Sequence, residues 1–184
     1  MRKVTAGLFI SLDGVVESPD KWQFDHFDAD MMSGMSAVTE AEDTVLLGRV
    51  TYQEWAGYWP DSDDQLYGSH INQTPKYIVS TTLEEVDWGK WDKPTLIKSN
   101  LGKELARLKR QPGKNIGVAG SPTLVRSMLK DELLDELTLM IHPVVVGKGK
   151  RLFEDGGDLK RYKVAYSKAT STGVLIVTYQ PRKL

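Results

Sequence analysis

Twice in this chain a short apolar run ends in glycine and passes at once into a helical pattern, at Val45-Leu46-Leu47-Gly48-Arg49-Val50-Thr51 and at Val118-Ala119-Gly120-Ser121-Pro122-Thr123. Each run is long enough for a buried strand and too short for a helix, so each junction reads as a strand, a tight turn and a helix in succession. Strands that alternate with helices pack as a sheet covered by helices on its faces, which confines the fold to the α/β class.

The rest of the chain repeats that alternation. Val4 to Leu12 is a first buried strand, closed by the Asp13-Gly14 turn. Phe24, Phe27, Met31, Met35 and Val38 recur at spacings of 3, 4, 4 and 3, which predicts a helix from Phe24 with His26, Asp30, Ser33 and Glu40 on its polar face. Asp43 to Leu47 is a strand and Arg49 to Trp55 a helix. Tyr77 to Ser80 and Thr95 to Lys98 are short strands, followed by a helix from Leu101 to Arg110 with Ser99 or Asn100 as its N-cap. After the strand from Ile116 to Ala119, Ser121 stands as N-cap and Pro122 in the first turn of a helix whose inner face is Leu124, Val125, Met128 and Leu129. Glu136 to Val146 reads as one long strand, with Pro143 marking a sheet edge or a bulge. Tyr162 to Lys168 and Val174 to Gln180 flank Thr172-Gly173 as a hairpin. The expectation is one domain over residues 1–184, a mixed sheet with flanking helices and a terminal antiparallel pair.

Composition narrows the chemistry. The chain has 184 residues, 40% of them hydrophobic and 27% charged, enough to bury a core without staples. A net charge of −1 provides no general field for a phosphodiester backbone, so nucleic acid is not expected as a partner. With no cysteine there is no disulfide, no thiolate nucleophile and no Cys-type metal site. His26, His70 and His142 lack metal-ligand spacing and are expected on the surface or on a helix face. Arg2 and Lys3 precede an apolar stretch that Ser11 and Asp13 cut short, and no run approaches the ~20 apolar residues of a membrane helix. A cytoplasmic protein is the expectation.

Glycine between a strand and a helix allows an anion to approach the unpaired N–H groups of the first helical turn, where the helix dipole is positive. A tight turn without a ligand uses glycine equally well. Taken together, Val45-Leu46-Leu47-Gly48-Arg49-x-Thr51-Tyr52-x-Glu54, then Tyr77-Ile78-Val79-Ser80-Thr81, then Ile116-Gly117-Val118-Ala119-Gly120-Ser121 resemble, in order and spacing, the cofactor frame of the dihydrofolate reductase fold. Asp135-Glu136-Leu137-x-Leu139-x-x-x-Pro143-Val144-Val145-Val146-Gly147-x-Gly149-x-x-Leu152-Phe153 and Ser11-Leu12-Asp13-Gly14 resemble a relative of it, the C-terminal reductase domain of bacterial riboflavin biosynthesis.

That resemblance implies a dihydrofolate reductase-like three-layer α/β fold and an NADPH-dependent reductase of a small heterocycle, most like a 5-amino-6-(5-phosphoribosylamino)uracil reductase. It implies that Gly48, Arg49 and Thr51 hold the pyrophosphate side, that Ser80 and Thr81 meet the 2′-phosphate with Lys98 as a further cation, and that Gly120, Ser121, Pro122 and Thr123 cap the diphosphate. It also implies a homodimer paired through sheet edges. The match fails on the substrate side, where dihydrofolate reductase presents a carboxylate from its first helix. A gapless count back from Gly48 lands near Met32, which can neither bind a pterin ring nor relay a proton. Asp28 and Asp13 are the remaining acid candidates. Trp22, Trp55, Tyr58 and Trp59 are candidates to wall a pocket or else core residues, and Lys148, Lys150 and Arg151 to meet a substrate phosphate or else form a solvated loop. Folate reduction is the second reading. A non-catalytic protein that keeps the fold is the third.

Overall fold

The structure is a computed structural model of the chain, described over residues 1–153 and 157–182. Among these residues the chain forms one sheet of eight strands in the order β4-β3-β2-β5-β1-β6-β8-β7. The strands are β1 Val4–Ser11, β2 Glu42–Gly48, β3 Lys76–Val79, β4 Thr95–Ile97, β5 Asn115–Ala119, β6 Glu136–His142, β7 Tyr162–Ala169 and β8 Leu175–Pro181. All pairs from β4 across to β6 are parallel, while β8 joins β6, and β7 joins β8, antiparallel. The helices are α1 Ala29–Glu40, α2 Arg49–Ala56, α3 Tyr67–Gln73, α4 Leu101–Lys109 and α5 Pro122–Lys130. No helix of the described residues is long and apolar enough to cross a membrane.

Alternate residues along each strand face opposite sides, so the two faces carry separate cores. On one face Val4, Ala6, Leu8, Ile10, Leu46, Val118, Leu137 and Leu139 pack against Leu105 and Leu108 of α4 and Leu124, Val125, Met128 and Leu129 of α5. On the other face the core is split. Val45, Leu47 and Ile78 pack under Tyr52 of α2 and Ile71 of α3. Met140 and Ile176 pack under Met31 of α1.

Two expected boundaries differ, and one helix was not expected. The helix expected from Phe24 begins at Ala29, because the Asp28 side chain accepts the Met31 N–H at 2.9 Å and so caps the helix there; Phe24–His26 is a separate 3-10 turn. The strand expected to run to Val146 ends at His142, and Pro143, which has no N–H for the ladder, lies outside it. The helix α3 has no apolar periodicity to announce it. It exists because Asp64 Oδ1 accepts the N–H groups of Leu66, Tyr67 and Gly68 at one end, while the buried Lys76 ammonium donates to the carbonyls of Ile71, Asn72 and Thr74 at the other.

Candidate active site

The adjacent strands β2 and β5 send their chains in opposite directions. From β2 the chain continues through α2 towards β3 on the split-core face, and from β5 through α5 towards β6 on the other. A crevice opens between the carboxyl ends of two such strands, the place where open α/β sheets bind ligands. Gly48 and Gly120-Ser121 stand there, at the starts of α2 and α5.

Neither helix start carries a side-chain cap. Ser121, expected as an N-cap, is in the left-handed region at φ 56° and uses its side chain elsewhere: Oγ accepts the Gly48 N–H at 2.8 Å. In return the Ser121 N–H donates to Thr51 Oγ1 at 2.9 Å. Both hydroxyls accept and so lock the two junctions together, and each keeps its O–H free to donate. What the crevice offers is the pair of positive helix ends with their first-turn N–H groups. Gly120 has φ +51°, and a Cβ there would lie 3.0 Å from Thr51 Cγ2 and 3.6 Å from Trp55 Cζ2, so a side chain would crowd the crevice and press on Thr51.

The other candidates line up along the same edge of the sheet. Arg49 is exposed, its guanidinium 3.3 Å from Gln53 Oε1. Ser80 is buried and its Oγ accepts from the N–H groups of Thr82 and Leu83, which shapes the turn after β3, while Thr81 beside it is exposed. Lys98 follows β4 and is ion-paired with Glu84 at 2.6 Å on the surface, where an exchange of partners costs little. From β4 to β5 these groups span three strand spacings, roughly 15 Å, which suits an elongated ligand.

Beside the crevice a groove crosses the split-core face. Thr5, Gly7 and Phe9 of β1 and Ala119 of β5 are half-buried in the middle of the sheet, between the two clusters that α1 and α2–α3 cover. Glu42, brought to this face by the irregularity at the start of β2, reaches over Gly117: a Cβ on that glycine would fall 1.7 Å from Glu42 Oε2. His70 of α3 holds the other oxygen, Nε2 to Oε1 at 2.9 Å. Glu42 and His70 were not among the expected site residues. Gly117, an isolated glycine inside a strand, was the available signal of a close approach.

Neither acid candidate is placed to donate a proton. Asp13 accepts from Ser11 Oγ and from the N–H groups of Val146 and Gly147, bonds that lower its pKa to about 2. Asp28 accepts from Met31 N, Ser171 Oγ and both polar groups of Thr172, and these hold it well below the usual carboxylate range. It caps α1 and ties that helix to the β7–β8 turn. In the basic loop Arg151 donates to the Asp13 carbonyl at 2.8 Å, Lys150 lies 3.8 Å from Glu17, and Lys148 is exposed. Of the four aromatics, Trp55 borders the crevice; Trp59 packs edge-on against Trp55 and Tyr67, and Tyr58 lies against Trp59. Trp22 packs on His142, which is fully buried instead of lying on the surface. His70, too, is largely buried, by its contact with Glu42. No group of three metal-ligating side chains occurs among the described residues.

The profile of the RibD C-terminal domain matches residues 2–176. The chain belongs to that family. It is 31% identical to the uncharacterized protein YyaP of Bacillus subtilis (strain 168) over 183 residues, 97% of this chain and 94% of that one. It is similar in fold to a candidate riboflavin biosynthesis protein from Shewanella sp. PV-4, with a TM-score of 0.80 at 23% identity and with 98% of this chain and 99% of that one covered. The deaminase/5-amino-6-(5-phosphoribosylamino)uracil reductase of Thermotoga maritima superposes with a TM-score of 0.67 at 14% identity, over 98% of this chain and 57% of that longer protein. The fold of this RibD C-terminal domain is therefore the one carried by riboflavin-pathway reductases.

Proposed function

We propose that this RibD C-terminal domain protein is an NADPH-dependent reductase of a small planar heterocycle, most like an aminopyrimidine ribosyl phosphate. The observation that carries the reading is the pair of uncapped helix starts locked together at the crevice, with Gly120 held at φ +51° where a side chain would fill the space. Gly48, Gly120 and the first turns of α2 and α5, including Pro122 and Thr123, would hold the diphosphate; Arg49, Thr81 and Lys98 would favour the 2′-phosphate by charge-assisted bonds. NADPH, when bound, supplies the hydride. The chain's own residues orient the two rings in the half-buried groove beside Trp55 and exclude water there, while Asp13 and Asp28 stay ionised and hold loops. A substrate phosphate would meet Lys148 together with Lys150 and Arg151. The homodimer would form at the β7 edge, where Val164 and Tyr166 are more than half exposed.

Thermal melts with NADPH and NADH test the reading. At 100 times its dissociation constant a ligand stabilises by about 2.7 kcal/mol, a rise of roughly 5–10 °C in a chain this size. NADPH should raise the melting temperature more than NADH at equal concentration; no rise with saturating NADPH refutes the cofactor assignment.

A further inference from the structure

His142, the last residue of β6, is wholly buried. Its Nδ1 lies 3.0 Å from the Met140 carbonyl oxygen, an acceptor that fixes the ring N–H on Nδ1 and leaves Nε2 with a bare lone pair. Nε2 is buried and has no hydrogen-bond partner among the described residues, and the same holds for His26 Nδ1 and Gln23 Oε1. The rings of Trp22, Phe9 and His26 stand edge-on to His142 at 5.4, 5.6 and 6.1 Å. Trp22, Gln23 and His26 come from one stretch of chain, where the His26 N–H donates to the Gln23 carbonyl at 3.1 Å. Three orphaned polar atoms therefore gather on two adjoining segments.

Each unpaired buried acceptor costs about 1–3 kcal/mol, and native proteins hold few of them. Their position is equally informative. His142 lies on the same face as Met140, Gly7 and Phe9, so it closes the groove at the carboxyl edge of the sheet. The end of β6 is two strand spacings, roughly 10 Å, from the end of β5 where the diphosphate would lie. Acceptors without donors call for a guest that brings N–H groups. We propose that Gln23, His26 and His142 form the substrate-side pocket of the groove, in which Gln23 Oε1 and His142 Nε2 accept hydrogen bonds from the amino or ring N–H donors of the heterocycle. The assignment of the guest as the substrate rests on the reductase reading above. Burial lowers the His142 pKa, which keeps the ring neutral and Nε2 an acceptor at neutral pH. His26 is half-buried, so the pocket opens to solvent past its ring.

The test uses the full chain with 15N-labelled histidine, titrated with 2,4-diaminopyrimidine and with 2,4-dimethylpyrimidine, a match in shape that lacks the donors, each with and without NADPH. The His142 Nε2 resonance should move with the diamino compound and not with the dimethyl one. His142→Phe should weaken diaminopyrimidine binding about tenfold, the scale of one lost hydrogen bond, keep the NADPH melting shift, and leave the ligand-free melting temperature unchanged or higher because an orphaned acceptor is gone. Gln23→Leu should weaken the same probe, and it decides the matter if His142→Phe does not fold. Equal responses to both pyrimidines, an unmoved Nε2 already bonded to an ordered water only, or undiminished affinity in the variants would overturn the pocket. Loss of NADPH binding with the Nε2 response intact would refute the reductase reading and leave the pocket standing.

Discussion

Gly117→Ala would test the floor of the groove directly. The glycine has no positive φ, so alanine fits its backbone, and the whole effect comes from the 1.7 Å overlap of the new Cβ with Glu42 Oε2. The backbone cannot retreat, because β5 is paired on both sides, with β1 and with β2. Glu42 must therefore swing away and give up its 2.9 Å contact with His70, both side chains being largely buried at 7% and 14% exposure. Separating such a buried pair costs about 2–5 kcal/mol, which for a chain this size lowers the melting temperature by roughly 4–20 °C. Urea denaturation at constant m-value measures the loss, and the same substitution in a Glu42→Ala background isolates the overlap. There alanine should cost under about 1 kcal/mol, since nothing remains for it to strike. An equal cost in both backgrounds, or a loss under about 1 kcal/mol in the native one, would show that the carboxylate does not occupy the space over Gly117.

Gly120→Asp should leave a folded protein, because aspartate tolerates the left-handed region better than most residues, and should abolish the NADPH-induced melting shift by adding bulk and like charge at the helix starts; a normal shift would reduce that junction to a turn. Asp28→Ala should lower the melting temperature by about 2–4 °C, the scale of a lost helix cap, with NADPH binding unchanged; lost binding would return Asp28 to the site. The Asp13 pKa is lowered from 3.8 to about 2, so its bonds to Ser11, Val146 and Gly147 contribute stability fully above pH 3.8, and that contribution is lost as the pH falls through about 2. Asp13→Asn should flatten the acid limb of the stability curve over that window, and an unchanged limb would refute the clamp.

The sequence alone determined what depends on neighbours along the chain. The strand and helix pattern around Gly48 and Gly120, the inner face of α5 and the terminal hairpin were legible because hydrophobic period, glycine and proline act within a few residues. Local reasoning erred where a distant partner decided. Nothing near Phe24 says that Asp28 will reach Thr172 across the fold; the bonds of Asp64 and Lys76 that close α3 are local, but no apolar period marks the helix between them. Ser121 looked like a helix cap and became a bridge, because its neighbour across the sheet is Gly48 rather than its own helix. The burial of His142, the pairing of Glu42 with His70 and the divided core that leaves a groove over β1 and β5 all belong to the tertiary structure. They arise from the strand order, in which segments far apart in sequence lie side by side, and a linear pattern of apolar residues carries no record of which strands become neighbours.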